Sequence, residues 1–481
     1  MKITMILEMA ASAGDKAVAT ADGRSLTASE LLDRARAAAH RFRHRSAVLY
    51  LGANHLAYPV ALFGAALAGV PFIPLNYRLG ADQLARLLDR HPGALVLRPA
   101  DLDALLEGGG AQDHEPAPQD QDAVAVVLYT SGTTAEPKAA LLRHRHLLAY
   151  VFNTQEFGSA EPDAATLVAV PPYHVAGLMN LLTNLYSGRR IVYQPAFDAA
   201  DWLATVRRER VTHALVVPTM LARIVAEVPD GATAQVPALR SLAYGGARTP
   251  RPVVERALRA FPDTGFVNAY GLTETTSSIA VLGPDDHRQA LVSDDPAVRD
   301  RLGSVGRVLP GVEIQIRGED SEAAGELVQV GRTGLVFVRG EQISGEYGGR
   351  GNALDADGWF ATRDRGRLDA EGYLFIEGRA DDTIIRGGEN IAPAEIEDVL
   401  LAHPGIVEAA VIGVPDPEWG QRIVAVLVGE GDPAEIRAWV KDRLRSSKTP
   451  DSVVFRAELP KSDTGKLLRR ILLADLETTH A

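Results

Sequence analysis

Short apolar runs alternate with helical patterns in the first part of the chain, and that alternation most limits what it can fold into. Ala47 to Leu51 reads as a strand and Val60 to Ala68 as a buried helix. Phe72 to Pro74 begins another strand, and Ala81 to Arg90 is an amphipathic helix. Strands separated by helices are crossed over in the same direction, so an α/β architecture with largely parallel strands is expected. Leu167 to Val170, His213 to Val217 and Leu239 to Tyr244 read as further core strands, with a helix over Ala200 to Glu209. From Gly303 to Ile376 the apolar runs are short and separated by glycines, which suggests hairpins and a small β-rich subdomain. After Gly378 comes a helix over Ala394 to His403, with Pro393 near its first turn. Strands over Val407 to Val414 and Ile423 to Val428 and a helix over Ala434 to Arg445 complete a small α+β unit. The chain therefore divides into a large domain (1–378), a charged junction suited to a hinge (379–382) and a small C-terminal domain (383–481).

A chain of 481 residues, 46% hydrophobic and 23% charged, has the composition of an ordinary globular protein of more than one domain. The net charge of −12 argues against nucleic acid as a partner. With no cysteine there are no disulfides, no cysteine nucleophile and no thiolate metal site. Any thioester must then be carried by an external thiol. Met1 to Ala11 does not resemble a signal peptide. Tyr58 to Leu75 is apolar over a membrane-length span, but Pro59, Gly64, Gly69, Pro71 and Pro74 punctuate it. A buried helix followed by a buried strand is expected there, with no membrane span and a cytoplasmic location.

Glu107 to Asp122 holds Gly108-Gly109-Gly110, two prolines and five acidic residues, and reads as an exposed linker. Directly after it, the apolar run Ala123 to Leu128 reads as a buried strand. That strand leads into Tyr129-Thr130-Ser131-Gly132-Thr133-Thr134-Ala135-Glu136-Pro137-Lys138. A strand ending in glycine and hydroxyl residues offers backbone N–H groups, O–H donors and an ammonium to one anion, of which polyphosphate is the obvious case. The Walker spacing is absent. A plain Ser/Thr-rich surface turn has the same composition.

Further motifs follow in order: Asn268-Ala269-Tyr270-Gly271-Leu272-Thr273-Glu274-Thr275, Gly358-Trp359-Phe360-Ala361-Thr362-Arg363-Asp364, Gly378-Arg379-Ala380-Asp381-Asp382, and Pro460-Lys461-Ser462-Asp463-Thr464-Gly465-Lys466. In identity and order these motifs resemble the adenylate-forming enzymes: acyl- and aryl-CoA synthetases, luciferases and peptide-synthetase adenylation domains. The resemblance covers nearly the whole chain.

The resemblance implies roles for particular residues. Thr130, Ser131, Gly132, Thr133, Thr134 and Lys138 would hold the β- and γ-phosphates of ATP. Glu274 would bind Mg²⁺ through a hard carboxylate oxygen, with Thr273 at the α-phosphate. Gly245, Gly246, Ala247, Asn268 and Tyr270 would form the adenine site, glycine allowing close approach and Tyr270 offering a face for stacking. Asp364 and Arg379 would meet the ribose hydroxyls. Lys466, on the small domain, would reach the reacting carboxylate and α-phosphate, and Asp381 would be the hinge. His174, in Pro171-Pro172-Tyr173-His174, would shape the carboxylate side of the acyl pocket, with Val216, Tyr244, Gly245 and Thr275 as further pocket candidates. Arg386, Gly387 and Gly388 would lie on the acceptor side, Arg386 meeting a CoA phosphate or a carrier protein or being simply exposed. No cluster of His and acidic residues suggests zinc.

The chain departs from the family pattern at several points. Ala135 and Ala139 stand where glycine is usual, Arg363 also replaces a glycine, and Arg248 stands where proline is common. A residue forced to positive φ costs roughly 1–2 kcal/mol when glycine is lost. Ala135 and Ala139 therefore imply either a loop comfortable at negative φ or a weakened grip on phosphate.

The activity expected from the resemblance is that of an acid–CoA ligase. A small-molecule carboxylic acid and MgATP give acyl-AMP and pyrophosphate, and coenzyme A, the second substrate, takes the acyl group. Transfer to a carrier-protein thiol or an amine, or ATP-dependent diazotisation of an aryl amine with nitrite, would use the same motifs. A nucleotide-binding protein without catalysis is the alternative of another class; retention of Lys466, Glu274 and Asp364 speaks against it.

Overall fold

The computed structural model of the protein describes residues 1–107, 120–130, 137–318, 325–387, 389–462 and 465–479. Among them, two large sheets carry the α/β body. The first runs in the order Arg307–Val308, Ser277–Leu282, Gly265–Leu272, Ser241–Gly245, His213–Val216, Ala165–Val168, Arg190–Tyr193, Ala17–Ala21, Arg24–Thr27. The second runs Gly351–Asn352, Glu346–Tyr347, Lys138–Arg143, Val124–Thr130, Phe72–Pro74, Val48–Tyr50, Leu95–Leu97. The central strands of each are parallel and the edges antiparallel, as the alternation of strands and helices requires.

The helix Ala57–Ala68 explains the membrane-length apolar stretch. Every residue from Ala57 to Leu67 is buried, and Phe72–Pro74 follows as the expected core strand. A helix apolar all round must be enclosed by protein. A Cβ on Gly64 would lie 2.9 Å from Ala38 Cβ and 3.2 Å from the Ala35 carbonyl oxygen, so this helix crosses Ala28–Phe42 at a separation only glycine permits. No helix among the described residues is long and apolar enough to cross a membrane.

The β-rich texture after Gly303 becomes an antiparallel four-stranded sheet of Val312–Arg317, Gly334–Gly340, Phe360–Leu368 and Leu374–Arg379. Beyond it, the small C-terminal α+β domain has its own apolar clusters, around Ile396, Val411 and Leu427 on one face and Ile412, Val426 and Leu472 on the other. Its long hairpin Ile406–Asp416 and Gly420–Gly429 pairs in parallel with Ser452–Phe455. The last helix expected from sequence, Ala434 to Arg445, is shorter: it spans Pro433–Lys441. Arg445 is extended, and Arg437 Nε donates to the Pro450 carbonyl, which fixes the returning chain.

Candidate active site

Open parallel sheets bind ligands beyond the carboxyl ends of their strands. Gly265–Leu272, Ser241–Gly245, His213–Val216 and Ala165–Val168 are adjacent and parallel. Their carboxyl ends bring Asn268 to Tyr270, Gly245 to Ala247, Val216 and the Tyr173-His174 turn to one edge, although these residues span nearly a hundred positions of chain. Gly245 is demanded by its neighbour strand, because a Cβ there would collide with the Ala269 carbonyl, and Gly246 is left-handed at φ +87°. His174 sits at the N-cap of Val175–Ser187, its ring 4.6 Å from that of Tyr173. Asn268 Nδ2 donates to the Ser304 carbonyl at 3.1 Å.

Two pocket candidates are placed elsewhere. Tyr244 is fully buried, and its hydroxyl meets His287 Nε2 at 2.8 Å in the core. Thr275 is also fully buried, and its hydroxyl bonds the backbone of Leu272 and Ser277, closing the turn instead of lining a cavity. Val216 keeps its place at the strand end, with its side chain buried.

Glu274 lies in a short 3₁₀ turn, Thr273–Thr275. Ser344 anchors its carbonyl through N–H (2.8 Å) and Oγ (3.1 Å). The Tyr347 hydroxyl donates to its Oε1 at 2.6 Å. Desolvation first, and the Glu274 charge second, push the Tyr347 pKa above its ordinary value, so the phenol stays a donor. Thr276 and Ser277 have φ of +58° and +119°. Thr276 is held there by a 2.6 Å bond from Oγ1 to the Gln342 carbonyl. A β-branched residue in this region is strained. Here the strain turns the chain sharply after Glu274. Tyr347, Ser344 and Gln342 had no signal in the sequence, since they lie about seventy residues from the turn they hold.

Glu274 is the carboxylate at this end of the site, and the described residues hold no group of three or more His, Cys, Asp or Glu that could bind a metal. Glu274 would offer a hard carboxylate oxygen to a Mg²⁺ ion, which would neutralise charge on a bound phosphate.

Asp364 is buried beside the same edge. Its Oδ2 accepts from the Tyr270 hydroxyl at 2.5 Å and its Oδ1 from Arg379 Nη1 at 2.8 Å. Each carboxylate oxygen has two acceptor positions, so capacity for sugar hydroxyls is retained. Tyr270 is thereby tethered edge-on to Asp364 and packs on the four-stranded sheet.

The strand Val124–Thr130 pairs with Lys138–Arg143 so that Thr130 and Lys138 face each other across the ladder. Ser131, Gly132, Thr133, Thr134 and Ala135 lie outside the described residues. Lys138 Nζ stands 5.6 Å over the Tyr347 ring. It borders a cavity of about 170 Å³ that Arg90 and Arg350 also line. Ala139 is an ordinary strand residue paired with Tyr129, and it is not among the residues with positive φ. The strain expected at a replaced glycine is found instead at Arg363, where φ is +62°.

The small domain closes over this edge. A Cβ at Gly465 would lie 2.5 Å from the Thr219 side chain of the large domain. The next residue, Lys466, is exposed overall, but its ammonium lies within electrostatic range of Arg379, Asp364, Asp382 and Arg469. Desolvation first and Arg379 second lower its pKa from the ordinary lysine value, against the pull of Asp364. Asp381 lies in the 3₁₀ turn Ala380–Asp382 at the junction.

Arg386 is placed differently from a surface cation. Its Nη2 donates to Asp451 Oδ1 at 2.7 Å and its guanidinium lies 5.3 Å from the Trp419 ring centre, so it braces the small domain internally. Gly387 is left-handed at φ +57° and donates to the Trp419 carbonyl. Gly388 lies outside the described residues.

Known proteins are similar to this chain in sequence and architecture. A feruloyl-CoA synthase from an Amycolatopsis species is 36% identical over 477 residues, covering 93% of each chain. An indoleacetate–CoA ligase from Aromatoleum aromaticum is 35% identical, covering 88% of this chain and 87% of its own. The solved structure of o-succinylbenzoate CoA synthetase from Bacillus subtilis, in complex with an acyl-adenylate intermediate, superposes with a TM-score of 0.83 at 28% identity over 97% of both chains. The profile described as AMP-binding enzyme matches residues 7–347, and that of the AMP-binding enzyme C-terminal domain matches residues 395–466. With both profiles matched over most of its length, the chain belongs to the AMP-binding enzyme family.

Proposed function

We propose that the protein is an AMP-forming acid–CoA ligase whose acid is an aryl or arylalkanoic acid. The observation that carries this reading is that Gly465, next to Lys466, is seated against Thr219 of the large domain, at the strand edge that also carries the Asp364–Arg379 pair and Glu274. In the first half-reaction a carboxylate oxygen attacks the α-phosphorus of ATP, the bond to the β-phosphate oxygen breaks, and pyrophosphate leaves. Lys466 sets a cationic donor against the charge that gathers on oxygen. Asp364 and Arg379 orient the ribose, and Thr273 and Lys138 orient the phosphates. Magnesium bound at Glu274 supplies charge neutralisation on the phosphate oxygens. In the second half-reaction the CoA thiolate attacks the acyl carbon, the carbon–oxygen bond to AMP breaks, and AMP leaves. The intermediate is never attached to the protein, which agrees with a chain free of cysteine.

The aryl class rests on the relatives, whose names specify feruloyl, indoleacetate and o-succinylbenzoate substrates. A pyrophosphate-release screen tests it with ferulate, indoleacetate and 2-succinylbenzoate against aliphatic and dicarboxylic acids. Each acid is run with and without CoA, and nitrite with an aryl amine forms a separate arm. The expected result is pyrophosphate release dependent on an aryl acid and Mg²⁺, with a CoA thioester formed. ADP and orthophosphate as products would overturn adenylation. Pyrophosphate without a thioester would move the acceptor to a carrier protein or an amine, and turnover only with nitrite would move the chemistry to diazotisation.

A further inference from the structure

We propose that Arg248 and Arg363 are positioning residues that hold the small domain in the orientation that seats Gly465, and with it Lys466, against Thr219 of the large domain. The role given to Lys466 rests on the ligase reading above. Arg248 follows the Gly245–Ala247 turn of the large domain, and its Nη2 donates to Asp398 Oδ2 on the helix Pro393–Leu401 of the small domain. Arg363 precedes Asp364 in Phe360–Leu368, and its Nη1 lies 3.7 Å from Asp381 Oδ2 at the junction. The backbone of Arg363 is left-handed, a conformation glycine adopts freely and arginine does not. What arginine adds at this unfavourable position is a charge facing the junction.

The two ion pairs bracket a body that moves as one. Arg469, three residues after Lys466, holds Asp382 at 3.3 Å and Glu397 at 2.5 Å. The junction, the helix carrying Asp398 and the Lys466 loop are therefore tied together. Rotation of that body separates Arg248 from Asp398, and a changed backbone angle at Asp381 moves its carboxylate relative to Arg363, which the sheet fixes. Both pairs thus belong to this one orientation. Their side chains are about half exposed, so each is worth about 1.5- to 5-fold in the balance between orientations. Such factors matter when two half-reactions need two orientations.

The test uses the full chain and separates the half-reactions. Acyl-AMP formation is followed as pyrophosphate release with the acid found in the screen, and thioester formation is followed from presynthesised acyl-AMP and CoA. Arg248→Gln combined with Arg363→Asn removes both charges, asparagine tolerating the left-handed backbone. The expected result is a ratio of adenylation to thioester rate lowered by about 2- to 20-fold, and a smaller ratio difference in 1 M salt. The reversed pair Arg248→Asp with Asp398→Arg should recover most of the single-variant loss. Equal loss in both half-reactions, or an unchanged ratio, overturns the proposal. A second readout needs no acid. Because the chain has no cysteine, Ala85→Cys and Ala438→Cys on exposed helix faces take spin labels specifically. The interdomain distance distribution should broaden when Arg248 and Arg363 are replaced. If it does so while no acid is adenylated, the ligase reading falls and the positioning role stands. If it is unchanged, the positioning role falls.

Discussion

At the scale of single residues, the site depends on donors whose partners are fixed before substrate arrives. Lys466→Gln should slow acyl-AMP formation by about 10²–10³, the usual loss for one preorganised donor. Thioester formation from supplied acyl-AMP should be spared; equal loss in both would remove Lys466 from its role. Its lowered pKa adds a sign. The protonated form is the active one, so kcat/KM for adenylation should fall as pH rises, with a midpoint below that of a free lysine. Lys466→Arg, which stays protonated, should move that limb to higher pH. On the other side of the site, Tyr347→Phe strips Glu274 of its 2.6 Å donor. A hydrogen bond to a charged group is worth about 1.5–3 kcal/mol. The KM for MgATP should therefore rise by about 10- to 100-fold; titration of MgATP at saturating acid measures it.

At the scale of elements, glycine and alanine positions divide by backbone angle and clearance. Ala139 has ordinary strand geometry, so Ala139→Gly should leave the KM for ATP unchanged and lower stability by about 0.4–1 kcal/mol through the unfolded chain. Gly64→Ala should cost more, about 1–3 kcal/mol, because the new methyl meets Ala38 and the Ala35 carbonyl. Urea unfolding of the two variants compares them directly. These cases also mark what the sequence could reveal. Val48–Tyr50, Ala57–Ala68 and Phe72–Pro74 were legible because burial on every side leaves an uninterrupted apolar run. The hairpin of Ala17–Ala21 and Arg24–Thr27 was signalled by Asp22-Gly23, both left-handed. The alternation around it is weak, so that dipeptide is its main local signal. The candidate site residues that carry a family motif, Glu274, Asp364, Arg379 and Lys466, each stand in a recognisable local sequence. Their supports do not, because Tyr347, Ser344 and Gln342 are recruited by long-range packing that leaves no local pattern. The angle at Arg363 has one signal, the glycine usual at that place in the family; the arginine itself gives none.

At the scale of the whole molecule, buried imidazoles set the acid limit. His144, His146 and His287 are almost completely enclosed. Desolvation lowers each pKa to about 4. His144 and His146 use Nδ1 to accept backbone N–H groups, and His287 lies between the Gly283 carbonyl and the Tyr244 hydroxyl. The unfolded chain binds protons below about pH 6.5 that the folded chain refuses. Stability is therefore full above that pH and lost as pH falls toward 4, by up to about 1.4 kcal/mol per pH unit for each histidine. Urea midpoints at pH 7.0 and 5.5 should differ accordingly, and His144→Gln should shrink the difference. A flat profile over this range would contradict the neutral assignment.

The contact between Gly465 and Thr219 has a consequence for how the chain tolerates change. The seat of the small domain there has the clearance of a single hydrogen atom. A collection of all substitutions at position 465 should then sort by reaction step. Gly465 is also left-handed at φ +75°, so every substitution carries some backbone strain, and the collision adds to it only in the seated position; adenylate formation should therefore suffer more than transfer of a supplied adenylate to the thiol. The same reasoning makes Thr219→Ala relieve the collision part, though not the backbone part, of the Gly465→Ala loss in the first step. Two positions far apart in sequence would then be coupled through one reaction step and not the other.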